Sequence, residues 1–308
     1  MRYFITGASG WIGSAVVEQL IDNGHEVVGL ARSRASAQKL STMGADVHEG
    51  SLDDLESLAE AARSTDGVIH LAFKHDIAFS GDFLGAATAD RRAVEAFGEA
   101  LEGSEKPLVI ASGTTGYVLG RPITEHDGHE ARPSGTEVTS GPQLRGDTAE
   151  FTLSLASRGV RSVVVRLPPT NHGKGDNGFI ATLVAIARAT GVAGYVGDGS
   201  NRWPAVHRLD SARLFCLAVE SAPPASTLHA VGEEGVPLRD VAHVMGQHLN
   251  VPVSSIDPAD AEEHFSWLGR FVGLDVPASS AFTRELMHWE PTNEGLIADL
   301  DQGHYYAG

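Results

Sequence analysis

Cysteine is almost absent: Cys216 is the single one in 308 residues, which excludes an internal disulfide and any cysteine-rich metal centre. Basic residues are scarce as well. The chain has 23 Lys+Arg against 40 Asp+Glu, a net charge of −17, and the charges are scattered rather than blocked. That balance speaks against nucleic acid or an anionic membrane as partner and for an acidic, solvated exterior. No apolar run approaches the about eighteen residues of a membrane helix, and no basic stretch leading into an apolar one opens the chain. A cytoplasmic location and a small-molecule partner are the expectations, with homodimer formation left open. No metal site is expected, because the histidines (among them His243, His248, His264 and His288) lack ligand spacing. Cys216, in the apolar helical run from Ala212 to Val219, should lie in the core.

Glycine, by contrast, stands in a telling place. Arg2 to Thr6 is a short apolar run of strand character. Gly7, Gly10 and Gly13 follow at intervals of three, and Trp11 to Leu20 carries helical periodicity. A strand that breaks on glycine into a helix suits a dinucleotide pyrophosphate. Gly7 permits the tight turn, Gly10 lets backbone approach phosphate, and Gly13 lets helix pack on strand. The helix N-terminus adds N–H groups and a positive dipole. This Gly-x-x-Gly-x-x-Gly spacing after Thr6 resembles the short-chain dehydrogenase/reductase superfamily, in its extended and atypical, epimerase/dehydratase-like branches. The resemblance implies an α/β doubly wound parallel sheet of Rossmann type with a smaller C-terminal substrate region. It also implies a nicotinamide dinucleotide held by Gly7, Ser9, Gly10, Trp11, Ile12 and Gly13.

Glu26 to Leu30 reads as a second strand closing a βαβ unit. Where an acid would bind the adenosine ribose, the chain has Ala31-Arg32-Ser33. An absent carboxylate and the Arg32 guanidinium together favour NADP over NAD. Ala45 to His48 is a weak third strand. By the resemblance Leu52 follows it beside the adenine, while Asp53 is expected to cap the helix starting at Leu55. Gly67 to Ala72 resembles the family strand Val-x-His-x-Ala, which implies that backbone at Leu71, Ala72 and Phe73 runs beside the cofactor ribose. Lys74, His75 and Asp76 then form a polar cluster where open α/β sheets place ligands. Phe83 to Leu101 is helical, with Arg91 and Arg92 expected on the surface.

Leu108 to Ala111 is the fifth strand, leading to Ser112-Gly113-Thr114-Thr115-Gly116-Tyr117. The family has a serine-rich turn there, which implies a hydroxyl polarising the substrate carbonyl; Ser112 and Thr114 remain, and Thr114 lies further past the strand. Arg121 to Pro142 is rich in Gly, Pro, Ser, Thr and charge and reads as a long loop, a functional lid or a mobile segment. A helix at Asp147 to Arg158 and a sixth strand at Arg161 to Leu167 complete a dinucleotide-binding domain of residues 1–167, to which 205–222 return. Residues 168–204 and 223–308 are expected to form the substrate-binding region, with Asp210 capping the helix that holds Cys216.

The family's Tyr-x-x-x-Lys is missing. None of the five tyrosines has Lys four residues on, and the matching positions fall at about Pro142 and Gly146. Arg145 is the nearest cation and is expected beside the cofactor or a substrate anion. Arg166-Leu167-Pro168-Pro169-Thr170-Asn171-His172-Gly173 resembles the family's Arg-Pro-x-x-x-Tyr-Gly, which implies Pro168 near the nicotinamide and puts His172 about where the aromatic falls. Thr114 as polariser, His172 as proton donor, and His75 and Tyr117 in reserve make up the expected catalytic set. The leading expectation is an NADP-dependent oxidoreductase for a small carbonyl or alcohol. A non-catalytic NADP-binding regulator and an epimerase or lyase are the alternatives.

Overall fold

The computed structural model describes residues 1–115, 120–129 and 138–307. The chain divides into two compact units. The first comprises Met1–Ser112, His126–Arg166 and Ala212–Leu228; the second comprises Gly113–Glu125, Leu167–Ser211 and His229–Gly308.

Strands and helices alternate through the first unit: β1 (Arg2–Thr6), α1 (Trp11–Asp22), β2 (Glu26–Ala31), α2 (Arg34–Thr42), β3 (Asp46–Glu49), α3 (Leu55–Arg63) and β4 (Gly67–His70). Next come α4 (His75–Phe79), α5 (Phe83–Leu101), β5 (Pro107–Gly113), α6 (Gly141–Ser154) and β6 (Arg161–Leu167). The chain continues with β7 (Thr170–His172), α7 (Phe179–Thr190), β8 (Ala193–Val196), β9 (Arg202–His207), α8 (Arg208–Ser221) and β10 (Ser226–His229). After β10 follow β11 (Glu233–Pro237), α9 (Leu238–Leu249), β12 (Val253–Ile256), α10 (Ala261–Phe265), α11 (Gly269–Val272), α12 (Ala281–Met287) and α13 (Leu296–Asp301).

Seven strands form one sheet in the order β10-β6-β5-β4-β1-β2-β3. Pairing is parallel from β3 through β2, β1 and β4 to β5, with Thr6 level with His70 and Ile5 level with Gly29. This is the doubly wound fold, with β1 between β4 and β2. Parallel strands are covered on both faces, and β1 and β4 are accordingly buried almost throughout. Burying each Val, Leu, Ile or Phe of this core contributes about 1.5–3 kcal/mol. Side-chain oxygens cap the helices that return to the sheet: Ser33 accepts from Ser36 N at α2 and Asp82 from Gly85 N at α5. At α3 the cap is Asp54, accepting from Ser57 N, rather than the expected Asp53. Asp53 lies one residue too early and holds Lys74 Nζ at 2.7 Å instead. Arg91 likewise departs from expectation, bonding Glu95 and the Asp147 carbonyl and lying 4.0 Å over the Phe151 ring. Cys216 is 2% exposed, and burial pushes its thiol pKa up to about 12.

In the second unit, β9 pairs antiparallel with β11 and parallel with β7, and β8 pairs parallel with β12. Helices α7, α9 and α13 share a core with Trp203, Val236 and Phe265. Asp210 lies inside the first turn of α8 rather than before it. Its two carboxylate oxygens accept from Thr292 N and Asn293 N, each at 3.0 Å, while its carbonyl accepts from Trp289 Nε1. Of the expected long loop, Ile123 bridges Ala278 and the buried Glu125 accepts from Thr283, so this part is anchored within the second unit. Among the described residues no helix is long and apolar enough to cross a membrane.

Candidate dinucleotide and catalytic site

The glycine turn has the geometry its residues imply. Gly7 sits at φ +68°, and a Cβ there would come within 2.7 Å of Ala72 N; at Gly13 it would overlap Gly7 O. Glycine is therefore required twice, once for backbone conformation and once for helix-on-strand contact. Gly10 begins α1 with no side-chain cap and no acid in the first turn, which leaves the positive end of the helix to a ligand anion. Thr6 closes the other side of the turn. Its carbonyl accepts from Leu71 N and its hydroxyl from Ala72 N, each at 3.2 Å. Gly7, Leu71 and Ala72 are thus one contiguous wall, and Lys39 Nζ reaches the Ser9 carbonyl at 2.8 Å on the opposite side. Trp11 and Ile12 are half-buried on the first turn of α1, and Leu52 is buried.

Arg32 follows β2 and is exposed, and although no acid follows β2 in the sequence, a carboxylate from elsewhere in the chain stands beside it. Asp76, from α4, lies 3.2 Å from Arg32 Nη1. The Asp76 carboxyl is held below the usual range, first by the Ile77 N–H and then by Arg32.

Beyond β4 the first unit brings Phe73, His75 and Arg145 together. The Phe73 ring meets His75 edge-on at 5.1 Å and carries the Arg145 guanidinium 4.6 Å above it. Desolvation and then the Arg145 charge push the His75 pKa down. Arg145 has protein partners of its own: Nη2 donates to the Ala111 carbonyl and Nη1 pairs with Asp90, both at 3.0 Å. Asp90 in turn accepts from His70 Nε2 at 3.2 Å, and His70 Nδ1 takes the Thr6 hydroxyl at 2.7 Å. Burial alone would raise the Asp90 pKa, but the Arg145 charge and the His70 bond overcome it and hold the carboxyl below its ordinary value. Sequence reading missed Asp90. The signal was its place in the buried stripe of α5, among Ala86, Ala87, Ala93, Val94 and Phe97. At the places of the family's Tyr and Lys, Pro142 is exposed and Gly146 has open space where a side chain would start.

In the second unit Thr114 is fully buried, with its N–H on the Leu167 carbonyl at 2.9 Å and its hydroxyl without a partner among the described residues. Pro168, also buried, takes the Asn171 amide on its carbonyl. His172 is enclosed as well. Its Nδ1 meets Asp299 at 2.9 Å, its ring abuts His207 at 5.5 Å, and its Nε2 has no partner among the described residues. The second Asp299 oxygen accepts from His304 Nε2 at 2.9 Å. A carboxylate on Nδ1 assigns the proton there and leaves Nε2 as the working nitrogen. Asp299 and His207 also line a cavity of about 380 Å³ with Lys174 and Asn293. Asp299 escaped notice for the same reason as Asp90: it sits between Leu296 and Leu300 on the buried side of a helix. Ser112 is half-buried near the end of β5, and Tyr117 lies outside the described residues.

A glycine turn at the carboxyl edge of a doubly wound sheet defines a dinucleotide-binding α/β protein. Residues 3–127 match the model of the NAD dependent epimerase/dehydratase family. The chain is 42% identical over 309 residues to the uncharacterized Schizosaccharomyces pombe protein C2A9.02, covering 99% of this chain and 100% of that one. It is 27% identical to the decarboxylating sterol-4-alpha-carboxylate 3-dehydrogenase of Dictyostelium discoideum, over 77% of this chain and 73% of the relative. In fold it is similar to the dTDP-glucose 4,6-dehydratase DesIV of Streptomyces venezuelae, solved with NAD, at a TM-score of 0.76 and 18% identity over 99% and 97% of the two chains. The chain belongs to the NAD-dependent epimerase/dehydratase family, within the extended short-chain dehydrogenases/reductases. Its class of activity is therefore that of a nicotinamide-dinucleotide-dependent enzyme of oxidoreductase or epimerase type.

Proposed function

We propose that this protein is an NADP(H)-dependent oxidoreductase that interconverts the carbonyl and alcohol of a small organic substrate. The observation that carries this reading is that Thr114 Oγ1 after β5 and His172 Nε2 on β7 are two of the buried polar atoms that have no partner among the described residues. An unpaired buried polar group costs about 1–3 kcal/mol, and such groups concentrate where a ligand or a reaction uses them. The D. discoideum dehydrogenase, an oxidoreductase by name, supports the same class. A bound nicotinamide supplies or accepts the hydride. Thr114 polarises the substrate oxygen through its hydroxyl. His172 exchanges the proton at Nε2, with Asp299 fixing the tautomer and the adjoining cavity connecting the dyad to water. His75 is the reserve proton carrier, and Arg32 favours NADP through its 2′-phosphate.

A second reading, a dinucleotide-binding regulator without catalysis, is supported by one observation: nothing acidic or basic replaces the family's Tyr and Lys at Pro142 and Gly146. Steady-state oxidation of NADPH with a panel of aldehydes and ketones separates the two. Turnover of any carbonyl favours the oxidoreductase, and saturable NADPH binding without turnover favours the regulator.

A further inference from the structure

β1 has β2 on one side and β4 on the other, so the carboxyl ends of these two strands flank the glycine turn. Arg32 is the first residue past β2, and Asp76 stands in the segment that follows β4. Their 3.2 Å ion pair therefore reaches from one flank of the turn to the other. Both side chains are solvent-exposed, at 67% and 59%, so the pair is weak enough for a ligand to break. Asp76 is also fixed at its base, because its other oxygen accepts from Ile77 N at 3.1 Å. No carboxylate follows β2 itself, where the chain reads Ala31-Arg32-Ser33-Arg34.

Two demands meet at that place. A 2′-phosphate seeks the guanidinium, while an unphosphorylated ribose offers two hydroxyls that seek a carboxylate. Resting on the cofactor reading above, we propose that Asp76 is the cofactor-discriminating residue of this chain. It competes with the 2′-phosphate of NADP for Arg32 and accepts the ribose hydroxyls of NAD in place of the acid missing after β2. The preference for NADPH is then graded rather than absolute, and the Arg32–Asp76 pair sets the grade.

Two substitutions separate the halves of this role. Asp76→Asn keeps a hydrogen-bonding group of the same size but releases Arg32. Asp76→Ala removes both functions. Dissociation constants of NADPH and NADH are measured for each variant by nucleotide fluorescence at fixed ionic strength. Asp76→Asn is expected to tighten NADPH by about two- to fivefold, with NADH within about twofold of wild type. Asp76→Ala is expected to weaken NADH by about fivefold while NADPH tightens as in the Asn variant. Wild type binding NADPH, with both variants leaving the NADPH-to-NADH ratio unchanged, overturns the role of Asp76 alone. Wild type binding neither dinucleotide overturns the cofactor reading on which it rests.

Discussion

Asp90 and Arg145 form an ion pair at 3.0 Å, the carboxylate from α5 and the guanidinium from α6, and through it the strand ends are tied together. The pair continues through His70 to Thr6, beside the glycine turn, and through Arg145 to the Ala111 carbonyl, just before Ser112. A chain of hydrogen bonds thus links the end of β1 with the end of β5. Such a network holds backbone in register only while every member is satisfied.

Removing Asp90 leaves a half-buried guanidinium and a buried imidazole without their carboxylate. Asp90→Ala is expected to cost about 3–5 kcal/mol, read from urea unfolding. Because the folded pKa of Asp90 lies below its unfolded value, this contribution is present above the unfolded carboxylate pKa and is lost as pH falls through the lower folded one. Wild type should therefore lose stability on acidification below about pH 4, and Asp90→Asn should flatten that slope. An Asn variant with an unchanged acid limb would remove Asp90 from the account.

Gly146 lies inside α6 with nothing within 4 Å of where a Cβ would stand. Gly146→Ala should stabilise the fold by about 0.4–1 kcal/mol through the unfolded chain's lost freedom. NADPH binding should be unaffected. Weaker binding in this variant would mean that a ligand approaches the helix backbone there.

Arg32→Ala tests the anchor of the 2′-phosphate. A charge-assisted contact of this kind contributes about 1.5–3 kcal/mol, so NADPH affinity should drop by about ten- to a hundredfold while NADH changes little. Equal losses for both cofactors would place Arg32 elsewhere than on the phosphate.

His172→Ala should lower kcat for carbonyl reduction by ~10²–10⁴ with the NADPH affinity nearly intact. Asp299→Asn disturbs the tautomer without removing the ring and should lower kcat less than His172→Ala does. His75→Ala, made in parallel, decides between the two imidazoles. Full turnover in both histidine variants would hand the role to water or Tyr117.

The order of strands and the glycine turn were legible in the sequence because both arise from local pattern: apolar runs of strand length, breaks at glycine, and helical periodicity between them. The pairings were not. Arg32 with Asp76, Asp90 with Arg145 and His172 with Asp299 join residues far apart along the chain, and spacing carries no information about them. One local cue was available and went unread: Asp90 and Asp299 each interrupt the apolar stripe of a helix, where a carboxylate survives only with a partner. The cap of α3 missed by one residue, Asp54 for Asp53, because two adjacent aspartates satisfy the same pattern.

The burial of Cys216 has a practical corollary. A thiol pushed up to about 12 and 2% exposed carries almost no thiolate at neutral pH, so maleimides and iodoacetamide should pass it by in the native protein. Any cysteine introduced at an exposed position becomes the sole reactive handle on an otherwise unaltered background. Spin labels or fluorophores could then be attached one site at a time, with no need for a cysteine-free parent.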